Sequence, residues 1–233
     1  MPPSTPAGAF IGGLGLIISV PSVVLFVTAL GFGALARDGG FDLGHAAFLA
    51  AIVFALPNQV VLIDQLMRGA TIAGAALAVT LTAVRLMPMT VTLVPLFQGE
   101  KRRHLLEVLA AHFVAISTWI EGQRRLPSIP VELRLPFHLG AGVVMSGMML
   151  AGTIAGYLLV SGVPTLVTAA LLFMTPLYFI LSLVATSRSA MDVAAIAIGC
   201  GLSPVLYLVM PGFDLLATGL VGGTAAYLIG RRR

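Results

Sequence analysis

The sequence predicts an all-α polytopic membrane protein of about seven transmembrane helices. They form two inverted three-helix repeats with broken second helices, plus a final helix. Three observations predict this. The 233 residues are 58% hydrophobic and 9% charged, with a mean hydropathy of +1.04, whereas a soluble domain carries about 25% charged residues. Hydrophobic runs of about 20 residues, the length that crosses a bilayer, use nearly the whole chain. Two of those runs carry a Phe-x-x-Pro motif at matching depth, Phe54 to Pro57 and Phe173 to Pro176.

The elements follow in order. Met1 to Pro6 is an uncharged, proline-rich lead without the basic n-region of a cleavable signal. Span 1 is expected from Phe10 to Ala36 and contains Pro21. After the turn around Gly39-Gly40, span 2 runs from Gly44 to Met67 and breaks at Pro57, because proline lacks the N–H and clashes with the preceding turn. Span 3, Ala70 to Phe97, contains Arg85, with Pro88 and Pro95 near its far end. Leu105 to Glu121 is apolar but interrupted by His112, Ser117 and Thr118; it is expected as an amphipathic helix along the membrane face, with a crossing as the alternative. Spans 4, 5, 6 and 7 follow at 135–160, 165–186, 190–210 and 213–229, with a second break at Pro176 and a tail of three arginines. The whole is one membrane domain: a first repeat over 10–97, a cytoplasmic linker over 98–134, a second repeat over 135–210, and the last helix with its basic tail over 213–233.

Charge sets the expected sidedness. If 105–121 does not cross, the basic residues gather on one side, with only Arg68 on the other. The positive-inside rule makes that side cytoplasmic, giving a periplasmic N-terminus and a cytoplasmic C-terminus. Crossing by 105–121 would make eight spans and scatter the arginines. A shift of 119 residues lays Gly33 on Gly152, Phe54 on Phe173 and Pro57 on Pro176. With seven spans those halves have opposite orientations, the inverted repeat of many secondary transporters, whose sites lie between broken helices.

The polar residues of the spans are the candidate binding groups. Asn58 and Gln59 follow the first break directly, and primary amides offer both donors and acceptors. They either contact a substrate or satisfy the opened backbone. Thr175 stands beside Pro176 at the second break. Arg85 is the most costly residue in the chain, since an arginine at the centre of a membrane helix costs at least about 2.5–3.5 kcal/mol. Thr82 and Thr92 share its helix face, and the arginine reads either as a carboxylate clamp or as a structural partner of broken-helix carbonyls. Asp64 and Arg68 are spaced for a helix-end ion pair, with proton coupling by Asp64 as the sharper reading. The histidines lack metal-ligand spacing, and Trp119 and Glu121 suit a membrane interface. Gly152-x-x-x-Gly156 and Gly219-x-x-x-Gly223 let helices approach closely, within the chain or toward a second subunit. No Gly-x-Ser-x-Gly elbow, His-Glu-x-x-His pair or phosphate-cradling loop is present. No cofactor, metal or nucleic acid is expected. An enzyme embedded in the membrane, or a channel or scaffold subunit inactive without a partner, is the rival reading.

Gly31-Phe32-Gly33-Ala34-Leu35-Ala36, Phe54-Ala55-x-x-x-Gln59 and Arg85 ahead of a proline-containing helix end resemble the AzlC family, the large subunits of branched-chain amino acid exporters. Gly152-Thr153-x-x-Gly156 and Phe173-x-x-Pro176 fit the same pattern. The resemblance implies a bacterial inner-membrane permease without enzymatic activity. It would export small amino acids, such as leucine, isoleucine, valine or methionine, by alternating access with a small AzlD-type membrane partner. Higher oligomers stay open. The sequence departs from the family pattern at Leu56-Pro57-Asn58, at Ala83, and in the central segment, where only Glu121 stands.

Overall fold

The computed structural model describes residues 5–97, 104–159, 164–187, 190–209 and 214–231. Among these the chain forms twelve α-helices and no strand. Helix α1 (Pro6–Leu14) continues through a 3-10 turn into α2 (Val20–Asp38). Pro21 lies in the first turn of α2, where its missing N–H costs nothing, so it starts a helix inside the expected span 1 rather than bending one. Next come α3 (Leu43–Ile52), α4 (Leu56–Met67), α5 (Ile72–Ala83) and α6 (Leu86–Leu93). After a 3-10 turn at Val94–Phe97 follow α7 (His104–His112) and α8 (Ile116–Arg125). The long α9 (Val131–Leu159) then leads to α10 (Thr165–Thr186), α11 (Ala190–Val209) and α12 (Asp214–Arg231).

Three helices, Val20–Asp38, Val131–Leu159 and Met191–Val209, are long and apolar enough to cross a membrane. The pair α5 and α6, extended to Phe97 and bent by 45°, makes a fourth.

The core is built on α2 and α9, which touch backbone to backbone. A Cβ added at Gly156 would lie 2.1 Å from the Leu30 carbonyl oxygen, and one at Gly33 would lie 2.1 Å from that of Thr153. At Gly152 it would lie 2.4 Å from the Phe26 carbonyl oxygen. The Gly152/Gly156 face therefore serves packing within the chain. The register also fixes direction. Phe10 lies beside Gly140, Phe26 beside Gly152 and Leu30 beside Gly156, so the chain advances the same way along both helices. At the far end Arg37 donates to the Tyr157 carbonyl (2.8 Å), and the Tyr157 hydroxyl donates to that of Phe41 (2.9 Å).

This parallel pairing corrects the expected repeat. Gly33 and Gly152 are equivalent under the 119-residue shift, and an inverted repeat would make their helices antiparallel. The opposed units lie elsewhere. Helices α3 and α4 have 10 and 12 residues, about 15 and 18 Å long, each too short for a hydrocarbon core of about 30 Å. They do not add up to a crossing, because both outer ends lie at the far end. Phe41 is bonded to Tyr157 there, and the Met67 sulfur would sit 2.9 Å from a Cβ at Gly39. The chain enters, turns at Val53–Ala55 and returns. Gly40 (φ 77) and Gly69 (φ 74) make the tight turns on either side.

A second hairpin enters from the opposite end. Phe97 stacks on His138, and Arg134 donates to the Leu96 carbonyl at 2.9 Å, which places the close of the fourth span where α9 begins. From that end α7 runs inward. The Ala110 carbonyl meets the His138 ring at 3.1 Å, and Phe113 covers Gly142. Helix α8 returns, with Gly122 against Leu93 and Leu126. So 105–121 neither crosses nor lies on the surface. Glu121 is 5% exposed and paired with Arg125 rather than standing at an open interface. The seven-span count thus included one hairpin as a span and set the other on the surface.

The second expected break is not a break in the helix: α10 runs without interruption from Thr165 to Thr186. The side chains of Thr175 and Pro176 lie outside the described residues. Helix α10 packs on α2, with Leu171 and Leu172 beside Gly31. Helices α11 and α12 pair through Ile198 and Gly222.

Two tests follow from this packing. Cysteines introduced as Asp38→Cys and Ala70→Cys, with Cys200 replaced, are expected to react with an impermeant maleimide from one common side, and Ser128→Cys from the other. Reaction of positions 38 and 70 from opposite sides would show that α3 and α4 cross. Gly156→Ala overpacks the α2–α9 contact, an insult of about 1–3 kcal/mol. It is expected to lower the melting temperature in detergent by several degrees relative to Gly147→Ala, where no atom lies within 4 Å of the added Cβ.

Candidate functional site

The two hairpin tips meet in the middle of the bundle. The Phe54 and Phe113 rings pack edge to face with centroids 6.0 Å apart. Beside them is a cavity of about 30 Å³ whose walls come from both tips and from the bend of α5–α6. Ala55, Leu56 and Pro57 line it from the first hairpin, Ala115, Ile116 and Ser117 from the second. Leu25 of α2 and Met149 of α9 close its sides.

The backbone explains the chemistry of the two tips. Each is a short extended segment followed by a helix N-terminus. Ala55 (φ −156, ψ 94) is the N-cap of α4, and Ala115 (φ −131, ψ 172) that of α8. The first N–H groups of a helix have no intrahelical partner, and a Ser, Asp or Asn normally covers one of them. Alanine cannot. Helix α8 therefore presents its first N–H groups without a side-chain cap, and the positive end of its dipole, toward the cavity; in α4 Pro57 has no N–H and that of Asn58 donates to the Ala55 carbonyl at 2.9 Å, which leaves only the Leu56 N–H. The ends of α3 and α7, of opposite dipole sign, reach the same tips. Other cap positions differ: Ser19, Asp42 and Thr71 each accept a backbone N–H for α2, α3 and α5. The Asp42 carboxyl lies outside the spans, and the His45 N–H and ring hold it below the usual carboxylate range.

Arg85 stands between α5 and α6, at the 45° bend, and lines the cavity. Its Nη2 donates to the Asn58 Oδ1 at 3.4 Å, while its Nε is buried without a partner. Asn58 is 4% exposed. The arginine and the amide, read separately from the sequence, thus form one unit that joins the third expected span to the first hairpin.

Gln59 plays a different part. It is fully buried, and its Nε2 donates to the carbonyls of Leu49 and Val53, with the Met149 sulfur at 3.7 Å. Each of those carbonyls also accepts a backbone N–H, Leu49 from Val53 at 2.8 Å and Val53 from Ala55 at 2.7 Å, so the amide adds a second bond to both. Gln59 is the internal brace of the hairpin, and only its Oε1 is without a partner. Thr82 bonds back to the Ala78 carbonyl at 2.9 Å instead of joining Arg85. Thr92 accepts from the Trp119 indole at 2.9 Å, fastening the second hairpin to α6. Asp64 and Arg68 form an exposed ion pair at 2.9 Å where the first hairpin leaves the bundle, and neither lines the cavity. Pro57 occupies the first turn of α4 and forms part of the cavity wall.

Sequence reasoning missed the second tip. Ala115, Ile116 and Ser117 belong to the site as fully as Ala55, Leu56 and Pro57. A signal existed in Ser117-Thr118, a polar pair inside an apolar run; Thr118 bonds back across the tip to the Phe113 carbonyl at 2.6 Å. Among the described residues no group of three His, Cys, Asp or Glu could hold a metal ion.

A family model described as AzlC protein matches residues 22–163. That range runs from the start of α2 past the end of α9, and takes in both hairpins and every residue that lines the cavity. No curated protein and no solved structure matches the chain.

The brace role of Gln59 can be measured. Gln59→Leu removes the second bond from two carbonyls that keep their backbone donors, a loss of about 0.5–1.5 kcal/mol each. The purified variant is expected to melt at a clearly lower temperature, with the loss exceeding that of Thr82→Val, whose hydroxyl serves only its own helix.

Proposed function

We propose that this chain, which belongs to the AzlC family, is a transporter subunit that exports small apolar amino acids, branched-chain ones first, through the cavity between the hairpin tips. The observation that carries the reading is the convergence of both hairpin tips, the uncapped N-terminus of α8 and Arg85 on one small cavity. A helix N-terminus is a ready site for an anion, and the guanidinium of arginine matches a carboxylate with paired donors. A carboxylate is a feature that all amino acids share.

The geometry supports alternating access. One hairpin reaches the cavity from each end of the bundle, so each covers one approach. Withdrawing α3–α4 would open the site to the far end, and withdrawing α7–α8 to the near end. The cavity of about 30 Å³ holds about one water, far less than a leucine side chain, so the tips must part for a substrate to enter. Gly40 and Gly69, at the root of the first hairpin, supply the backbone freedom that such a withdrawal needs.

Sidedness follows from charge. Arg124, Arg125 and Arg134 lie at the end where α9 begins, and the sequence joining Phe97 to α7 adds Lys101, Arg102 and Arg103; Arg37 and Arg68 lie at the other. The positive-inside rule makes the first end cytoplasmic. With six crossings (α1–α2, α5–α6, α9, α10, α11 and α12) both termini are then cytoplasmic. The periplasmic N-terminus expected from seven spans depended on α3–α4 crossing and is withdrawn with it. The small-residue face of α12 is open, with no atom within 4 Å of a Cβ at Gly219 or Gly223. It borders a groove of about 570 Å³ lined by Val84, Met87 and Val91, where a small AzlD-type partner helix can pack.

Efflux of labelled leucine from proteoliposomes, with and without the small partner, tests the function. Arg85→Gln is expected to cut the rate by roughly tenfold or more, the worth of one charged hydrogen bond. Failure of every amino acid to move under either condition would overturn the reading.

A further inference from the structure

The walls of the cavity between the hairpin tips fall into two sets. Ala55 to Pro57 and Ala115 to Ser117 belong to the hairpins, the parts that withdraw as the site opens to one end or the other. Leu25 of α2, Met149 of α9 and the bend residues Arg85 and Leu86 belong to the frame. A solute passed from one side to the other loses first one hairpin and then the other as its wall. It keeps the frame throughout.

Within the frame, Leu25 and Met149 are the fixed part. They stand on the two helices whose backbones touch at Gly33, Gly152 and Gly156, so neither can shift without parting that contact. Both are buried, Met149 at 1% exposure and Leu25 at 7%. Leu86 is only partly buried and lies beside the 45° bend, and Arg85 is engaged by Asn58. The two fixed side chains are apolar but differ in kind. Methionine is unbranched, with three rotatable bonds, and adapts its shape to what lies against it; leucine is branched and stiffer. The Met149 sulfur lies 3.7 Å from the Gln59 amide nitrogen, so this side chain reaches from the frame to the first hairpin.

We propose that Leu25 and Met149 are the specificity-determining residues of the site: they form the floor on which the apolar tail of the substrate rests at every stage of transport, and their joint size sets the longest tail accepted. The proposal rests on the cavity being the substrate site. It goes beyond export of small apolar amino acids by assigning the choice of tail to two frame residues and not to the tips.

Counterflow of labelled leucine into proteoliposomes that hold this chain, the small partner and unlabelled leucine tests it. External alanine, isoleucine and phenylalanine serve as competitors, and each half-inhibitory concentration is read as a ratio to that of leucine. Met149→Ala deepens the floor, and phenylalanine is expected to gain roughly tenfold on leucine, the scale on which an apolar pocket discriminates by size. Leu25→Phe raises the floor, and alanine is expected to gain on leucine by roughly the same factor. On the tips, Leu56→Val and Ile116→Val are expected to leave these ratios unchanged, whatever they do to the rate. Ratios that follow the tips and not the frame overturn the proposal, as do unchanged ratios in both frame variants; either result leaves amino-acid export standing. Absence of counterflow by the unaltered chain with every amino acid removes export and the proposal together.

Met149→Ala and Leu25→Phe can fail by misfolding, so a gentler variant is needed. Met149→Leu conserves volume but replaces an adaptable chain by a branched one. With an unchanged melting temperature and elution profile, it is expected to shift the ratio of isoleucine to leucine severalfold. An unchanged ratio would overturn the role given to the floor.

Discussion

Everything else in this fold is placed by the backbone contact between α2 and α9. Helices with ordinary side chains pack 8–10 Å apart, but here glycines on both partners bring carbonyl oxygens of one helix almost onto the other. A membrane offers no hydrophobic drive for helices to associate, since lipid tails are as apolar as leucine. Close approach of small residues supplies the dispersion contacts instead. Once the pair is parallel and in register, its two ends are defined, and each hairpin has a fixed wall to lean on. The first is rooted by Phe41 on Tyr157. The second is seated by Phe113 on Gly142 and by Ala110 on His138.

Backbone interrupted inside a membrane protein must find its hydrogen bonds within the protein. The two tips meet that demand in different ways. Gln59 adds a second bond to the Leu49 and Val53 carbonyls at the end of α3, and Thr118 bonds across the second tip. The same sequence that gives α2, α3 and α5 a side-chain cap gives none to α4 and α8. In α4 the proline and the Asn58 N–H bonded to the Ala55 carbonyl leave only the Leu56 N–H, so the open donors are chiefly those of α8.

The sequence made the membrane class, the interruption before Pro57 and the presence of a costly arginine legible, because each follows from composition or from one residue's chemistry. It did not distinguish a crossing from a hairpin. Gly44 to Met67 is as long and apolar as a span, and hydropathy carries no information on where a chain returns. Counting arginines on the assumption that each run crosses then moved Arg37 to the wrong company. Proline was also a weaker guide than it looked. Pro136 and Pro204 sit inside α9 and α11, and α10 runs straight on through position 176. What separates Pro57 from these is the extended run Val53–Ala55 ahead of it, whose carbonyls have Gln59 to receive them. The pairing of Asn58 with Arg85 links residues 27 apart, a distance that no local pattern reports.

The small cavity also bears on the membrane that holds it. A cell that keeps a proton gradient must prevent any transport protein from becoming a wire for hydronium. Chains of water conduct protons, and a gap filled with negative side chains would gather them. Here the cavity between the tips has room for about one water and is bordered by the fixed guanidinium of Arg85, a charge of the kind that holds protons and metal cations off in a pore. The arginine to which the proposed function gives the carboxylate is then also insulation for the bilayer.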